Sequence, residues 1–151
     1  MKDWLGETTF EVDLMHRMKK ATDHNGNTVS YAYDATGQQT AIVYPDGTTA
    51  SYEYDLVSNQ TAVTETDGST TTYEYDAMGR VSTMHYPNGW TEYYTYDAAG
   101  RLISVDDTHP SEKPSKTQKH TYRYDPNGNL TYEYMRGNGT GQAKTETTYT
   151  Y

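Results

Sequence analysis

Five histidines, His16, His24, His85, His109 and His120, are the side chains best suited to acid–base or metal chemistry at neutral pH, and no two stand at a ligand spacing such as His-x-x-x-His. They read as surface residues. The chain has no cysteine, which removes a thiolate nucleophile, a disulfide framework and any Cys-based zinc or iron–sulfur site. No serine sits in a Gly-x-Ser-x-Gly elbow, and no Gly-rich phosphate loop precedes a helical pattern. Asp and Glu number 21, yet no spacing picks out a catalytic pair. No catalytic, cofactor-binding or metal-binding residue follows, and the chain is expected not to be an enzyme.

One carboxylate set is regular. Asp13, Asp34, Asp55, Asp76 and Asp97 recur every 21 residues. Acidic residues beside glycine line some calcium-binding turns, but one carboxylate per 21 residues is sparse, and an Asp that caps a turn through its own side chain needs no metal. The capping reading is therefore taken. Aromatic columns share the period: Phe10, Tyr31, Tyr52, Tyr73 and Tyr94, then Val12, Tyr33, Tyr54, Tyr75 and Tyr96. Such rings could stack on sugars, or could be the packing residues of a sheet with few aliphatics, which is the reading preferred.

Composition says what must position these residues. Leu, Ile, Val and Phe make up only 15 of 151 residues, whereas Thr and Tyr, both strand formers, make up 43. A net charge of −9 is too small per residue for a polyelectrolyte tail, so disorder is not implied. A helical bundle and a Leu/Ile/Val-cored enzyme domain are excluded. The acidic balance argues against nucleic acid, whose affinity needs cations. No apolar stretch reaches membrane-span length, and residues 1–20 lack an uninterrupted apolar segment of signal-peptide type.

The remaining columns define the unit. Gly26, Gly47, Gly68 and Gly89 mark one turn; Thr28, Thr49, Thr70 and Thr91 follow it; Ala21, Ile42, Val63, Met84 and Val105 form an apolar column. In the copy at 70–89, Tyr73 and Tyr75 fall on one face of a strand, Asp76 to Gly79 turns, Arg80 to Tyr86 makes a second strand, and Pro87-Asn88-Gly89 turns again. Equivalent first turns contain Gly37, Gly79, Gly100 and Gly128. The next copy, Tyr122-Arg123-Tyr124-Asp125, arrives 28 residues after the last rather than 21, which predicts an inserted loop at 106–119 with Asp106 and Asp107 solvated. The fold expected is all-β: an antiparallel meander of about seven strand-turn-strand repeats. As one array over 1–151 the units are 1–26, 27–47, 48–68, 69–89, 90–117, 118–144 and a truncated 145–151 ending on a Tyr149–Tyr151 strand.

Tyr-x-Tyr-Asp-x-x-Gly-Arg followed by an apolar strand and Pro-Asp/Asn-Gly resembles the YD repeat of the rearrangement-hotspot (Rhs) family. Tyr73 to Arg80 and Tyr94 to Arg101 carry it in full; elsewhere Gln38 replaces Arg, Ser58-Asn59 replaces Gly-Arg, and the first copy reads Asp13-Leu-Met-His-Arg17. The resemblance implies large secreted or surface-associated bacterial chains whose repeats wind into a spiral β-sheet shell, enclosing a C-terminal toxin in toxin members. About seven repeats would span roughly 65 Å of such a sheet, an arc of shell, so the chain is expected to be a fragment or short relative. Asp125-Pro-Asn-Gly-Asn-Leu130 is similar to the family's autoproteolytic Asp-Pro-x-Gly-Leu, but Asn129 intervenes and the segment lies in ordinary turn register.

The expected function is a non-catalytic structural segment of a secreted or surface Rhs/YD-repeat protein. The expected partners are neighbouring repeats, a second copy paired through edge strands, and a toxin cargo in a full-length parent. No cofactor is called for. The alternative is a surface module recognising glycans or a partner protein through its Tyr-rich face. Aromatic hairpins of cell-wall choline- or glucan-binding modules share Tyr and Asp-x-x-Gly, but they need Trp in nearly every unit, and here only Trp4 and Trp90 occur.

Overall fold

The structure, a computed structural model, describes residues 2–3, 6–111, 118–136 and 144–150. Trp4, Leu5, residues 112–117 of the inserted segment and Tyr151 lie outside them. The described residues form fifteen strands and no helix. β1 (Lys2–Asp3) and β2 (Gly6–Glu7) pair with each other. β3 (Thr9–Val12), β4 (Met18–Thr22), β5 (Thr28–Tyr33), β6 (Gln39–Val43), β7 (Thr49–Tyr54), β8 (Gln60–Glu65), β9 (Thr70–Tyr75), β10 (Val81–His85), β11 (Thr91–Tyr96), β12 (Leu102–Thr108), β13 (Gln118–Tyr124), β14 (Leu130–Arg136) and β15 (Lys144–Thr148) follow. β3 to β8, and again β9 to β15, are hydrogen-bonded in chain order, the antiparallel meander that the alternating Thr/Tyr pattern predicts.

Two compact units divide the chain, residues 1–70 and 71–151. In the first, hairpins β3–β4, β5–β6 and β7–β8 are closed by turns at Asp13, Asp34 and Asp55, and the returns run through Asp23–Asn27 and Tyr44–Thr48. In the second, hairpins β9–β10, β11–β12 and β13–β14 are closed at Asp76, Asp97 and Asp125, with a return through Tyr86–Trp90. Every Asp-closed hairpin carries a bulge one residue into its second strand, at Lys19, Thr40, Thr61, Ser82, Ile103 and Thr131. A bulge sharpens the local twist, and here it is part of the repeat.

Cross-strand register explains two of the columns. Phe10 faces Ala21, Tyr31 faces Ile42, Tyr52 faces Val63, Tyr73 faces Met84 and Tyr94 faces Val105. Each aromatic ring thus lies across from an apolar residue, a pairing that contributes roughly 0.2–1 kcal/mol per pair. The other face holds a column of small residues. Ala62, Thr83 and Ser104 are buried there, opposite longer side chains such as Glu53, Glu74 and Thr95. Ala50 is the remaining buried residue among those described, and no large side chain is fully buried. Stability therefore rests on ladder bonds and neighbour-to-neighbour contacts rather than on a core between layers.

Two boundaries differ from the sequence reading. The segment 106–119 is not loop throughout. β12 runs to Thr108 and β13 starts at Gln118, so Asp106 and Asp107 stand in a strand, paired with Tyr93 and Glu92 on one side and with Lys119 and Gln118 on the other. The inserted residues lengthen strands that have partners on both sides: β12 has seven residues where β10 has five. The last strand among the described residues is Lys144–Thr148, ending before the expected start at Tyr149, although the Tyr149 N–H still donates to the Thr131 carbonyl at 3.0 Å.

Candidate functional site

The turn is built from one carboxylate. At Asp76, Oδ1 accepts from the backbone N–H of Met78 (2.8 Å) and of Arg80 (3.1 Å), while Oδ2 accepts from Arg80 Nε (2.8 Å). The Gly79 N–H donates back to the Asp76 carbonyl at 3.0 Å, and Gly79 takes φ 74°, which a side chain disfavours. Asp13, Asp34, Asp55, Asp97 and Asp125 repeat the pattern. In two copies the positive-φ place is filled by His16 (φ 63°) and Ser58 (φ 74°). The donated hydrogen bonds hold these carboxyls below their ordinary value: the Arg80 side chain first at Asp76, the Arg101 backbone N–H at Asp97, and the Asn129 amide at Asp125. Among the described residues no group of three or more His, Asp or Glu is placed to hold a metal.

The residue four after each Asp reaches beyond its own turn when it is arginine. The Arg17 guanidinium lies over the Tyr33 ring at 4.6 Å and Nη1 donates to the Asp34 carbonyl at 3.3 Å. Arg101 lies over Tyr124 at 4.9 Å and donates to the Asp125 carbonyl at 2.9 Å. Arg80 lies over Tyr96 at 4.4 Å, its Nη1 buried without a hydrogen-bond partner. One guanidinium thus pairs with its own Asp and stacks on the next repeat's Tyr. Where Asn59 and Asn129 stand instead, the bond to Asp survives at 2.9 Å, but the side chain is too short for the second contact.

The second Tyr of each Tyr-x-Tyr reaches the other way. Tyr33 OH donates to the Met18 carbonyl (2.8 Å), Tyr54 to Gln39 (2.8 Å), Tyr96 to Val81 (2.9 Å) and Tyr124 to Leu102 (2.9 Å). Each acceptor is the first residue of a preceding hairpin's second strand. Arg forward and Tyr backward staple consecutive repeats. The first Tyr of each pair, at Tyr31, Tyr52, Tyr73 and Tyr94, instead packs across the ladder. Sequence periodicity locates all of these side chains, yet the direction of each reach is visible only in the structure. His109, expected at the surface, is half-buried against the Trp90 ring (centroids 5.3 Å apart), with Nε2 on the Asn88 carbonyl at 3.0 Å.

Asp-capped, bulged hairpins tied to their neighbours by side chains define a β-repeat scaffold. The RHS Repeat family model matches residues 16–49, 34–68 and 54–92, together just over half of the chain, and the chain belongs to that family. Among solved structures it is similar to TcdB2-TccC3 without its hypervariable C-terminal region, at 20% identity and a TM-score of 0.82, covering 95% of this chain and 8% of that one. It is also similar to TcdB2-TccC3-TEV (20% identity, TM-score 0.66, 93% of this chain and 10% of that chain). The Photorhabdus luminescens Tc holotoxin pore matches at 18% identity with a TM-score of 0.60, over 93% of this chain and 9% of that one. These likenesses are of fold, and the chain spans about a tenth or less of each solved chain. No curated protein matches it.

Proposed function

We propose that this chain is a non-catalytic wall segment of a large secreted bacterial β-shell of the Rhs type, whose parent encloses a toxin polypeptide. The observation that carries this reading is the pair of staples, Arg over the next repeat's Tyr and Tyr hydroxyl onto the preceding repeat's backbone, which commit the recurring polar side chains to neighbouring repeats. Tyr31, Tyr33, Asp34, Tyr52, Tyr54, Asp55, Tyr73, Tyr75, Asp76, Arg80, Tyr94, Tyr96, Asp97, Arg101, Tyr122, Tyr124 and Asp125 are then repeat-defining structural residues, and the 21-residue units are the working subdivisions of the wall. Its partners are further repeats joined edge to edge. The first-column rings face apolar cross-strand residues, which favours packing over a glycan-recognition face.

Stepwise removal of hairpins from one end tests the reading. In a nearest-neighbour array the urea midpoint falls with each unit lost. A midpoint that ignores the loss of a unit would reject it. The enclosure part is tested separately in the longer protein: protease added to the folded particle should spare the enclosed polypeptide, and cleavage as fast as in the free polypeptide would count against it.

A further inference from the structure

The fifth copy breaks the repeat at one place. Glu92 on β11 and Asp107 on β12 are directly opposite each other in the ladder. The equivalent positions in the four earlier copies are Thr8 and Asp23, Val29 and Tyr44, Ala50 and Glu65, and Thr71 and Tyr86, none of them doubly acidic. Like charges opposite one another destabilise a sheet. Around the pair lies a cleft of about 220 Å³ lined by Tyr86, Asn88, Trp90, Glu92 and Asp107. That volume equals the liquid share of about seven waters, room for a small planar or tetrahedral head group.

The walls suit one chemistry. Tyr86 and Trp90 supply aromatic rings, and the Tyr86 N–H donates to the Trp90 carbonyl at 2.8 Å, closing the turn between them. His109 braces Trp90, its ring held on the other side by the Ser111 hydroxyl at 2.7 Å. Glu92 accepts from the Tyr94 hydroxyl. Among the described residues no Lys or Arg lines the cleft, and neither carboxylate has an ion-pair partner. Lys119 goes to Asp106 at 2.9 Å instead. Two carboxylates and two aromatic side chains lining one cleft, with no Lys or Arg among the described residues there, suit an organic cation: charge-assisted hydrogen bonds to the acids and a ring quadrupole for the charge. A neutral sugar would leave the repulsion between the acids in place.

We infer that the Tyr86–Trp90–Glu92–Asp107 cleft binds the head group of an organic cation, a guanidinium or primary ammonium, either as a free small amine or as a basic side chain. Asp107 supports the assignment, since burial first, then Glu92 and Asp106, push its carboxyl above the ordinary value, with His120 opposing them; a bound cation relieves that strain.

The test uses a Trp4→Phe chain, in which Trp90 is the sole tryptophan, and follows its indole N–H resonance during titration with methylguanidinium at low salt. A saturable shift is expected, weakened by about tenfold or more in Glu92→Gln and in Asp107→Asn, as loss of one charge-assisted hydrogen bond implies. Both substitutions are near-isosteric, and circular dichroism checks that each variant is folded. Glu53→Gln, an exposed carboxylate distant from the cleft residues in sequence, should leave the shift unchanged. N-methylurea, the neutral isostere, should produce none. The inference is overturned by absence of a saturable shift, by an equal response to N-methylurea, or by a response that survives in the Glu92→Gln/Asp107→Asn double variant. A blocked arginine peptide binding more tightly than methylguanidinium would identify a basic side chain as the natural occupant, and equal binding a free amine.

Discussion

At the scale of single residues the protein is a set of aspartates whose carboxylates replace missing backbone partners in tight turns, followed by a residue that must tolerate positive φ. Ser58 occupies that place at φ 74°. Removing its β-carbon relieves left-handed strain by more than glycine's entropy penalty, so Ser58→Gly should stabilise by about 0.5–1 kcal/mol in urea unfolding. A loss of stability would show that the serine hydroxyl holds the turn. The reverse change, Gly79→Val, should cost more than about 1 kcal/mol, because a β-branched residue strongly disfavours that conformation. A measured loss below about 0.3 kcal/mol would mean that the turn relaxes into another type.

Hairpins are coupled by the staples, and the copies that lack one are informative. Gln38 stands where Arg17, Arg80 and Arg101 stand in other copies, and its amide nitrogen is buried without a partner. Gln38→Arg should place a guanidinium over Tyr54 and stabilise by about 0.5–1 kcal/mol, the range of an exposed cation–π contact. Unchanged stability would show that the contact is worth nothing at this site. Tyr96→Phe removes the bond to the Val81 carbonyl and should cost about 1 kcal/mol. In a double-mutant cycle with Arg80→Ala the two losses should be non-additive by at least about 0.5 kcal/mol, since both act on one ring. Simple additivity would separate the staples. None of this was legible from the motif alone. Gly-Arg reads as part of a turn, and nothing in the motif says that the guanidinium serves the following repeat.

For the molecule as a whole, acid should act mainly through the turn carboxyls. Asp13, Asp23, Asp34, Asp46, Asp55, Asp67, Asp76, Asp97 and Asp125 all sit below the ordinary value of 3.8 when folded. A depressed folded value contributes stability that is present above the unfolded pKa and lost as pH falls through the folded one, so the thermal midpoint should drop as pH is lowered below about 4. Asp107 has the opposite sign. Its raised value favours the fold while it is protonated, and that contribution disappears as pH rises through it. Asp107→Asn should therefore raise the midpoint at pH 7 more than at pH 3. A variant equally shifted at both would place the effect in packing rather than charge.

The period, the alternation of strand and turn, the Asp caps and the family are legible in the chain's residues alone, because each is written in a few adjacent residues and then repeated. Tertiary structure decided what depends on register. A bulge after every Asp turn sets which residues face each other. Extension of β12 and β13 puts Asp107 into a ladder opposite Glu92 rather than into a loop, and the small column of Ala62, Thr83 and Ser104 is buried because longer neighbours cover it. A strand's neighbours across the sheet lie many residues away along the chain, and a shift of one position turns every side chain to the other face, so local pattern specifies the strand while only the assembled ladder specifies its contacts.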